Sequence, residues 1–221
     1  MSQANNKYKQ IAKRAAKALA GQRIVNLGIG IPTLVADYLD DDAVCLHTEN
    51  GLLGVSKVDA DQTDPNLVNA GKLPVGESIG SSFFHSADSF GMIRGGHVDV
   101  AVLGALQVDQ CGRIANWAVP GQSILGVGGA MDLLAGAKSV IVTMTHTAKN
   151  GDSKLVKECH YPLSGRRNAD LTITDLGVFG VQEGRLHLIE LMPGVDVNLV
   201  QERTEAELRW TWVRHEPHSF F

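Results

Sequence analysis

The sequence lacks the features that mark several specialised classes of protein. Its three cysteines are widely spaced and no CxxC pair occurs, which argues against a disulfide framework. The 20 basic and 24 acidic residues are interspersed, so there is no basic stripe of the kind that binds nucleic acid. No apolar run approaches the ~18 residues of a membrane span, and the basic N-terminus lacks the apolar core of a signal peptide. These absences predict a cytoplasmic protein with no nucleic-acid or membrane partner.

Motifs for metal binding are missing as well. Neither HxxxH nor HExxH occurs, although single histidines and acids are scattered along the chain. Because a metal site needs several convergent ligands, we expect solvated or hydrogen-bonded histidines and no metal. The residues considered for such a site are His47, Glu49, His85, His97 and His146.

The pattern that is present is an alternation of helices with apolar strands. Ile11, Ala15 and Leu19 recur every four residues and predict an opening helix. Near-continuous apolar strands separated by helices indicate an open, mostly parallel sheet with helices on both faces. Strands are predicted at 23–28, 43–48, 97–104 and 138–145, and helices at 32–39, at 86–96 with Ser86 as its cap, and after a glycine turn at 126–129.

The remaining segments are predicted from turn residues and from fading periodicity. Glu183 and Gly184 separate two apolar runs, which predicts a hairpin and hence antiparallel strands near the C-terminus. A helix is expected at 195–208. Residues 55–80 show little periodicity and are interpreted as a long functional loop. With no repeat or linker, residues 1–221 are expected to form one α/β domain.

The first candidate site is the stretch NLGIGIPT at 26–33. A strand, then Gly28-x-Gly30, then a helix resembles half of a dinucleotide-binding fingerprint, and Glu49 lies near the ~20-residue spacing of a ribose-binding acid. Thr33 occupies the place of the third glycine. The pattern leaves open a structural turn, a ligand-facing turn and nicotinamide binding.

The second candidate is GVGGAMDL at 126–133. Gly128 and Gly129 precede a predicted helix, so their backbone N–H groups suit an anion or a developing oxyanion. Close packing of the helix on a strand is the structural alternative.

The third candidate is Glu49, in the stretch HTENGLLG at 47–54. A side chain at the carboxyl end of a strand in an open α/β sheet faces the crevice where ligands bind. Gly51 permits the close approach of a ligand or backbone, and Asn50 offers amide donors and an acceptor. An N-cap or a salt bridge is the structural alternative for Glu49.

Together these stretches resemble the β subunit of the class I 3-oxoacid and acetate CoA-transferases. The resemblance runs from about residue 8 to 208. The matching blocks, in order, are NLGIGIPTLVADYL, HTENGLLG, DPNLVNAGK, SFFHSADSFGMIRGGHVDVAVLGALQVD, ANWAVPG, GVGGAMDLLAGAK, HTAKNGDSKLVKEC and LIELMPGVDV.

The resemblance implies a chemistry for the three candidates. In this family the glutamate of the ENG block is the nucleophile, which here is Glu49, with coenzyme A as substrate and covalent intermediate and no permanently bound cofactor. It implies a CoA-transferase and sugar-isomerase type of fold. The implied partner is a separate α subunit, in an α2β2 or larger complex. Gly128 and Gly129 are then expected to serve as oxyanion donors, and Asn50, Gly51, Gly28 and Gly30 to contact substrate. A nucleotide-dependent oxidoreductase and a non-catalytic ligand-binding protein on the same fold stay open as alternatives.

Overall fold

The chain is built around a ten-stranded sheet. The structure is a computed structural model that describes residues 3–39, 44–59, 61–69, 71–124 and 128–210. In these ranges the strand order is β13-β12-β11-β10-β8-β5-β1-β2-β3-β4, and a small second sheet has the order β7-β6-β9. The strands are β1 Ile24–Leu27, β2 Cys45–Thr48, β3 Leu52–Ser56, β4 Gly76–Phe83, β5 Val100–Gly104, β6 Gln107–Asp109, β7 Ile114–Ala115, β8 Ser139–Thr143, β9 Leu155–Val156, β10 Leu171–Ile173, β11 Gly177–Gln182, β12 Arg185–Leu191 and β13 Arg209–Trp210.

The centre of the sheet is buried on both faces. Strands β10, β8, β5, β1 and β2 run parallel to one another. Successive residues of β5 point into two different apolar layers, as the period of two in a strand requires. Val100 and Val102 pack in one layer, and Ala101 and Leu103 in the other. This double burial explains why the central strands are nearly continuous apolar runs.

Helices cover both layers. The N-terminal helix α1 (Gln3–Ala18) and the short 3₁₀ helix (Pro32–Tyr38) lie over the layer that contains Val100. The predicted face of Ile11, Ala15 and Leu19 is fully buried there. Residues of the other helices pack in the opposite layer. No helix within the described ranges is long and apolar enough to cross a membrane. The helices are α1 Gln3–Ala18, the 3₁₀ helix Pro32–Tyr38, α2 Ser86–Arg94, α3 Ala130–Gly136 and α4 Val197–Arg203.

The predicted fold class is confirmed: the sheet is mostly parallel, helices flank it, and antiparallel strands lie near the C-terminus. The hairpin at Glu183 and Gly184 joins β11 to β12, and both turn residues have positive φ. One sheet takes strands from both ends of the described chain, which agrees with a single domain. That residues 1–221 fold as one domain stays a prediction.

The interpretation of residues 55–80 as one long loop was wrong. β3 and β4 pair antiparallel within this stretch and extend the sheet beyond β2, which leaves only residues 57–75 as a connection. β4 is an edge strand with most of its side chains in solvent, so its sequence shows no burial pattern from which a strand could be predicted.

Two local predictions also need correction. Residues 32–38 form a 3₁₀ helix, in which the N–H of Leu34 donates to the carbonyl oxygen of Ile31. Helix α2 is capped by His85 and not by Ser86, because the His85 ring nitrogen Nδ1 accepts from the N–H of Ala87 at 3.1 Å.

Candidate active site

Glu49 lies just past the carboxyl end of β2, beside the end of β1. These two strands are parallel and in register, with Asn26 directly opposite His47. β1 has β2 on one side and β5 on the other. After β1 the strands continue through β2, β3 and β4 toward one edge of the sheet, whereas β5, β8 and β10 follow one another toward the other edge. In open α/β sheets such a reversal of strand order creates the crevice in which ligands bind. Glu49 is half-buried at this point.

Asn26 holds one oxygen of the Glu49 carboxylate. Its side-chain nitrogen Nδ2 donates to Glu49 Oε2 at 3.0 Å, and it also lies 3.2 Å from both the carbonyl oxygen and the ring nitrogen Nδ1 of His47. A carbonyl and a carboxylate accept only, so the NH2 group of Asn26 must face them. A hydrogen bond to a charged acceptor is stronger than a neutral one. The fully buried Asn26 side chain therefore fixes the position of Oε2.

The other carboxylate oxygen faces the backbone of Gly129. A Cβ atom added to Gly129 would lie 3.3 Å from both Cγ and Oε1 of Glu49, so a side chain there would crowd the carboxylate. Within the described ranges, Oε1 makes no hydrogen bond. One oxygen of Glu49 is thus anchored by Asn26, and the other lies against the backbone of Gly129.

The turn after Glu49 depends on Gly51. Its φ is +117°, its N–H donates to the carbonyl oxygen of Thr48 at 3.1 Å, and its own carbonyl oxygen accepts from the N–H of Phe84 at 3.0 Å. A Cβ atom on Gly51 would overlap the Phe84 carbonyl oxygen. Only glycine allows both the dihedral angle and this close approach. The turn therefore sets where the chain leaves β2 and hence where Glu49 points.

Asn50 anchors the neighbouring connection. Its side-chain nitrogen donates to the carbonyl oxygen of Val68 at 2.9 Å, which ties residues 57–75 to the turn. The Asn50 side chain is exposed. Its predicted contact with substrate stays a prediction, and the observed contact gives it a structural role as well.

A buried polar chain continues behind Asn26. The His47 ring stacks on Phe84 with centroids 6.2 Å apart, and its Nε2 lies 2.9 Å from the hydroxyl oxygen of Ser89. Ser89 in turn donates to the carbonyl oxygen of Thr48 at 3.2 Å. Burial lowers the pKa of His47 from its ordinary 6.5 to about 4, because a charged ring is poorly solvated there. His47 is therefore neutral at physiological pH.

The glycines of the 26–33 stretch have different surroundings. Gly28 donates its N–H to the Val102 carbonyl oxygen at 2.8 Å, and a Cβ atom on it would lie 3.1 Å from that oxygen. Gly28 therefore serves close packing of β1 against β5. Gly30 has a φ of +92° and open space beside it. Its contact with substrate, like that of Gly28, stays a prediction.

The start of the 3₁₀ helix differs from a phosphate-binding turn. The N–H of Thr33 donates to the Gly30 carbonyl oxygen and its hydroxyl group to that of Gly28. These two donors of Thr33 are satisfied within the turn and are not free to bind a phosphate group. Thr33 therefore lends no support to the dinucleotide alternative.

The second candidate stretch, GVGGAMDL at 126–133, is described from Gly128 onward. Gly128 is exposed with a φ of +56°, and Gly129 caps α3 and is buried. Neither donates a hydrogen bond to Glu49 in the part of the chain that is described. The preceding Gly126 and Val127 lie outside the described residues. The oxyanion role of Gly128 and Gly129 stays a prediction, although the structure brings Gly129 against Glu49.

Three residues of this site are not predicted from the sequence. Asn26 is only the first letter of a predicted motif, His47 is considered only as a metal ligand, and Ser89 lies in a matching block and a predicted helix but carries no predicted role. The available signal is the two-residue spacing of His47, on the predicted strand, and Glu49, just past its end, which predicts that both side chains lie on the same face. A buried asparagine in an apolar strand is the second signal, since buried polar groups need partners.

Fold and site together define an α/β protein with a carboxylate held at the switch point of its sheet. Residues 8–203 match the family model described as coenzyme A transferase. The chain therefore belongs to the coenzyme A transferase family and is a CoA-transferase.

Similar proteins come from several bacteria. The chain is 49% identical over 203 residues to the β subunit of the acetate CoA-transferase of Haemophilus influenzae, with 91% of each chain covered. It is 50% identical over 198 residues to the B subunit of the succinyl-CoA:3-ketoacid coenzyme A transferase of Helicobacter pylori, covering 89% of this chain and 96% of the other. It is 49% identical over 201 residues to the B subunit of the 3-oxoadipate CoA-transferase of Pseudomonas putida, covering 90% of this chain and 94% of the other.

A solved structure with the same fold is the acyl-CoA transferase YdiF apoenzyme of Escherichia coli O157:H7. The TM-score is 0.77 at 23% identity, with 97% of this chain and 44% of that chain covered. The chain thus spans less than half the length of that protein. At this identity the likeness concerns the fold alone.

We predict that Gly51→Ala displaces Glu49. The added methyl group would overlap the Phe84 carbonyl oxygen, and the backbone would have to leave its positive φ. CoA-transfer activity should fall at least tenfold, together with the melting temperature. Gly184→Ala is the matched control, because Gly184 also has a positive φ but has nothing within 4 Å of an added Cβ atom. The control should lose some stability and keep its activity; equal activity in both variants would contradict the role of the turn.

Stability should decrease in mild acid because of two buried histidines. Burial lowers the pKa of His146, as of His47, from 6.5 to about 4. The unfolded chain binds more protons than the folded chain between these values, so the free energy of unfolding rises with pH across this window. Each histidine should lower the free energy of unfolding by about 2 kcal/mol between pH 7 and pH 5. Melting temperatures at the two pH values measure the effect, and His47→Gln should make the decrease smaller. An unchanged decrease would show that His47 is not buried in its neutral form.

Proposed function

We propose that Glu49 is the nucleophile of this CoA-transferase and carries CoA as a glutamyl thioester between two half-reactions. The observation that carries the proposal is the unequal setting of the two carboxylate oxygens. Oε2 is held by Asn26, whereas Oε1 makes no hydrogen bond within the described ranges and lies beside Gly129, which has no side chain to block an approaching acyl group. A structural glutamate in a salt bridge or a helix cap has no need of this arrangement.

The first step is attack by Oε1 on the carbonyl carbon of an acyl-CoA. A bond forms between Oε1 and that carbon, and the carbon–sulfur bond breaks, which gives an acyl-glutamyl anhydride and CoA thiolate. The carboxylate is a weak nucleophile, and partial removal from water at the half-buried site raises its reactivity.

The second step places CoA on the protein. The thiolate attacks the Glu49 carboxyl carbon, and the acyl group leaves as a carboxylate that takes Oε1 with it. Negative charge develops on Oε2 during this attack, and Nδ2 of Asn26 already lies 3.0 Å away. A preorganised donor of this kind typically lowers a barrier by about 2.7–4 kcal/mol. An acceptor carboxylate then reverses both steps and leaves as its own CoA ester, so the energy of the thioester is conserved.

The substrates we propose are an acyl-CoA donor such as succinyl-CoA or acetyl-CoA and a 3-oxo or short-chain carboxylic acid as acceptor. The names of the similar proteins support this class: they include acetate, a 3-ketoacid and 3-oxoadipate at nearly equal identity. An assay panel should therefore contain all three acceptors.

We further propose that the partner is a separate α subunit, in an α2β2 or larger complex. The similar proteins are named as the β or B subunit. Exposed apolar side chains beside the site support a contact there. Phe83 on the edge strand β4 is 60% exposed and Ile79 is fully exposed, while Phe83 pairs with Leu52 two residues beyond the Glu49–Asn50 turn. Large exposed apolar groups of this kind favour association with another protein.

Glu49 variants test the proposal. In a complex co-expressed with its α subunit, Glu49→Ala and Glu49→Gln should lose transfer by several orders of magnitude without loss of folding, because a nucleophile is removed and no core packing. Glu49→Asp should also be impaired, since the shorter side chain withdraws from Asn26. Glu183→Gln, at the remote hairpin, is the matched control and should be fully active. Near-normal turnover by Glu49→Ala would refute the covalent mechanism.

The chain purified alone, without an α subunit, should be inactive in the transfer assay.

A further inference from the structure

We propose that His47 and Ser89 are positioning residues for Glu49, because together they fix the direction in which Asn26 presents its amide group. The inference rests on the proposed role of Glu49 and deepens it. Neither residue touches the carboxylate, so their effect is transmitted through Asn26. The contacts that carry the inference form one buried chain from Ser89 through His47 and Asn26 to Glu49.

The directions of the hydrogen bonds follow from the acceptors around Asn26. The Asn26 NH2 group faces Glu49 Oε2 and the His47 carbonyl oxygen, which can only accept. Nδ1 of His47, 3.2 Å from the same nitrogen, is then an acceptor as well, which places the single ring proton of neutral His47 on Nε2. Nε2 donates this proton to the Ser89 oxygen 2.9 Å away, and the Ser89 hydroxyl group donates to the Thr48 carbonyl oxygen at 3.2 Å.

Asn26 therefore meets acceptors on three sides. Its Nδ2 atom lies 3.2 Å from His47 Nδ1 and from the His47 carbonyl oxygen, and 3.0 Å from Glu49 Oε2. The two protons of the Asn26 NH2 group are shared among these three acceptors. The carbonyl oxygen Oδ1 of Asn26 is buried without a hydrogen-bond partner within the described ranges. Leaving an acceptor unpaired is unfavourable, so the amide is held in this orientation by its NH2 contacts alone.

The opposite arrangement shows what the chain of contacts prevents. If Ser89 did not accept from Nε2, the His47 proton could move to Nδ1 and face the Asn26 NH2 group, donor against donor. Turning the amide over would relieve that conflict. It would also place Oδ1 against the Glu49 carboxylate and remove the donor from the oxygen that becomes negative during thiolate attack. Ser89 thus controls a group two residues away in the chain of contacts.

The burial of these side chains supports a built network. Asn26 and Ser89 are fully buried and His47 is 2% exposed, so water does not substitute for a missing partner. Ser89 reaches His47 from helix α2, while His47 and Asn26 come from the paired strands β2 and β1. Three separate secondary-structure elements therefore contribute side chains to this hydrogen-bond network. A histidine that served packing alone would need no such set of partners.

A double-mutant cycle in the co-expressed complex tests the coupling. Ser89→Ala should lower kcat about tenfold with little change in the KM for acyl-CoA, and Asn26→Ala should lower kcat by about 10²–10³-fold. In the Asn26→Ala background, the added Ser89→Ala change should alter kcat less than about twofold, because Ser89 acts through Asn26. Ser164→Ala is the matched control: Ser164 is 3% exposed and also bridges two segments by hydrogen bonds to Asn116. It should leave kcat unchanged in both backgrounds.

A neutron structure of the wild-type complex at neutral pH tests the same inference without any variant. Deuterium should be found on His47 Nε2 and absent from Nδ1, with the deuterated amide nitrogen of Asn26 toward Glu49. Deuterium on Nδ1, or equal effects of Ser89→Ala with and without Asn26, would overturn the proposal. A rise in KM at unchanged kcat would do the same. Glu49→Ala belongs in the same series. If that variant were active, the proposed function would fail, while the neutron result would still report the state of His47.

Discussion

The 3.0 Å hydrogen bond from Asn26 to Glu49 depends on the parallel register of β1 and β2. A shift of one residue in this pairing would turn Asn26 to the other face of the sheet and leave Glu49 without its donor. Apolar packing of Val25 and Leu27 on one face of β1, which lies between β2 and β5, helps to secure this register. The position of the Asn26 donor relative to the Glu49 carboxylate is thus fixed by the packing of the sheet core. This packing makes a small polar site rigid.

The site combines polar groups that would destabilise an apolar core if they were unpaired. Asn26, His47 and Ser89 are buried side by side, and nearly every polar atom among them has a partner. The exception is Oδ1 of Asn26, which has none within the described ranges. An unsatisfied buried acceptor typically costs about 1–3 kcal/mol. A protein that retains such a group gives up stability to orient the donor on the other side of the same amide toward Glu49.

The sequence was sufficient to predict the elements whose burial is periodic. The face of Ile11 and Leu19, the apolar strand β8 and the hairpin at Gly184 all followed from spacing and turn residues. β4 could not be predicted, because an edge strand in solvent carries no alternation. Glu49 was predicted to be the nucleophile from its place after a strand and from the family resemblance, and this role stays a prediction.

The residues that surround Glu49 and its partner Asn26 were not predictable in the same way. Asn26 and Ser89 depend on which strands and helices are neighbours, and these are set by contacts between distant parts of the chain. β1, for example, pairs with β5 through Val25 and Val100. Long-range pairing of this kind leaves no local signal beyond a polar residue in an apolar strand.

The central claim is that CoA becomes covalently attached to Glu49, and mass spectrometry of the trapped intermediate tests it most directly. The two-subunit complex is incubated with acyl-CoA in the absence of an acceptor acid, and the intact mass of this chain is measured. The account predicts an increase equal to CoA less water, its removal by hydroxylamine, and a hydroxamate at Glu49 after digestion. An adduct mapped to Cys45, Cys111 or Cys159 would indicate thiol exchange and would contradict the account, as would the absence of any adduct in an active complex.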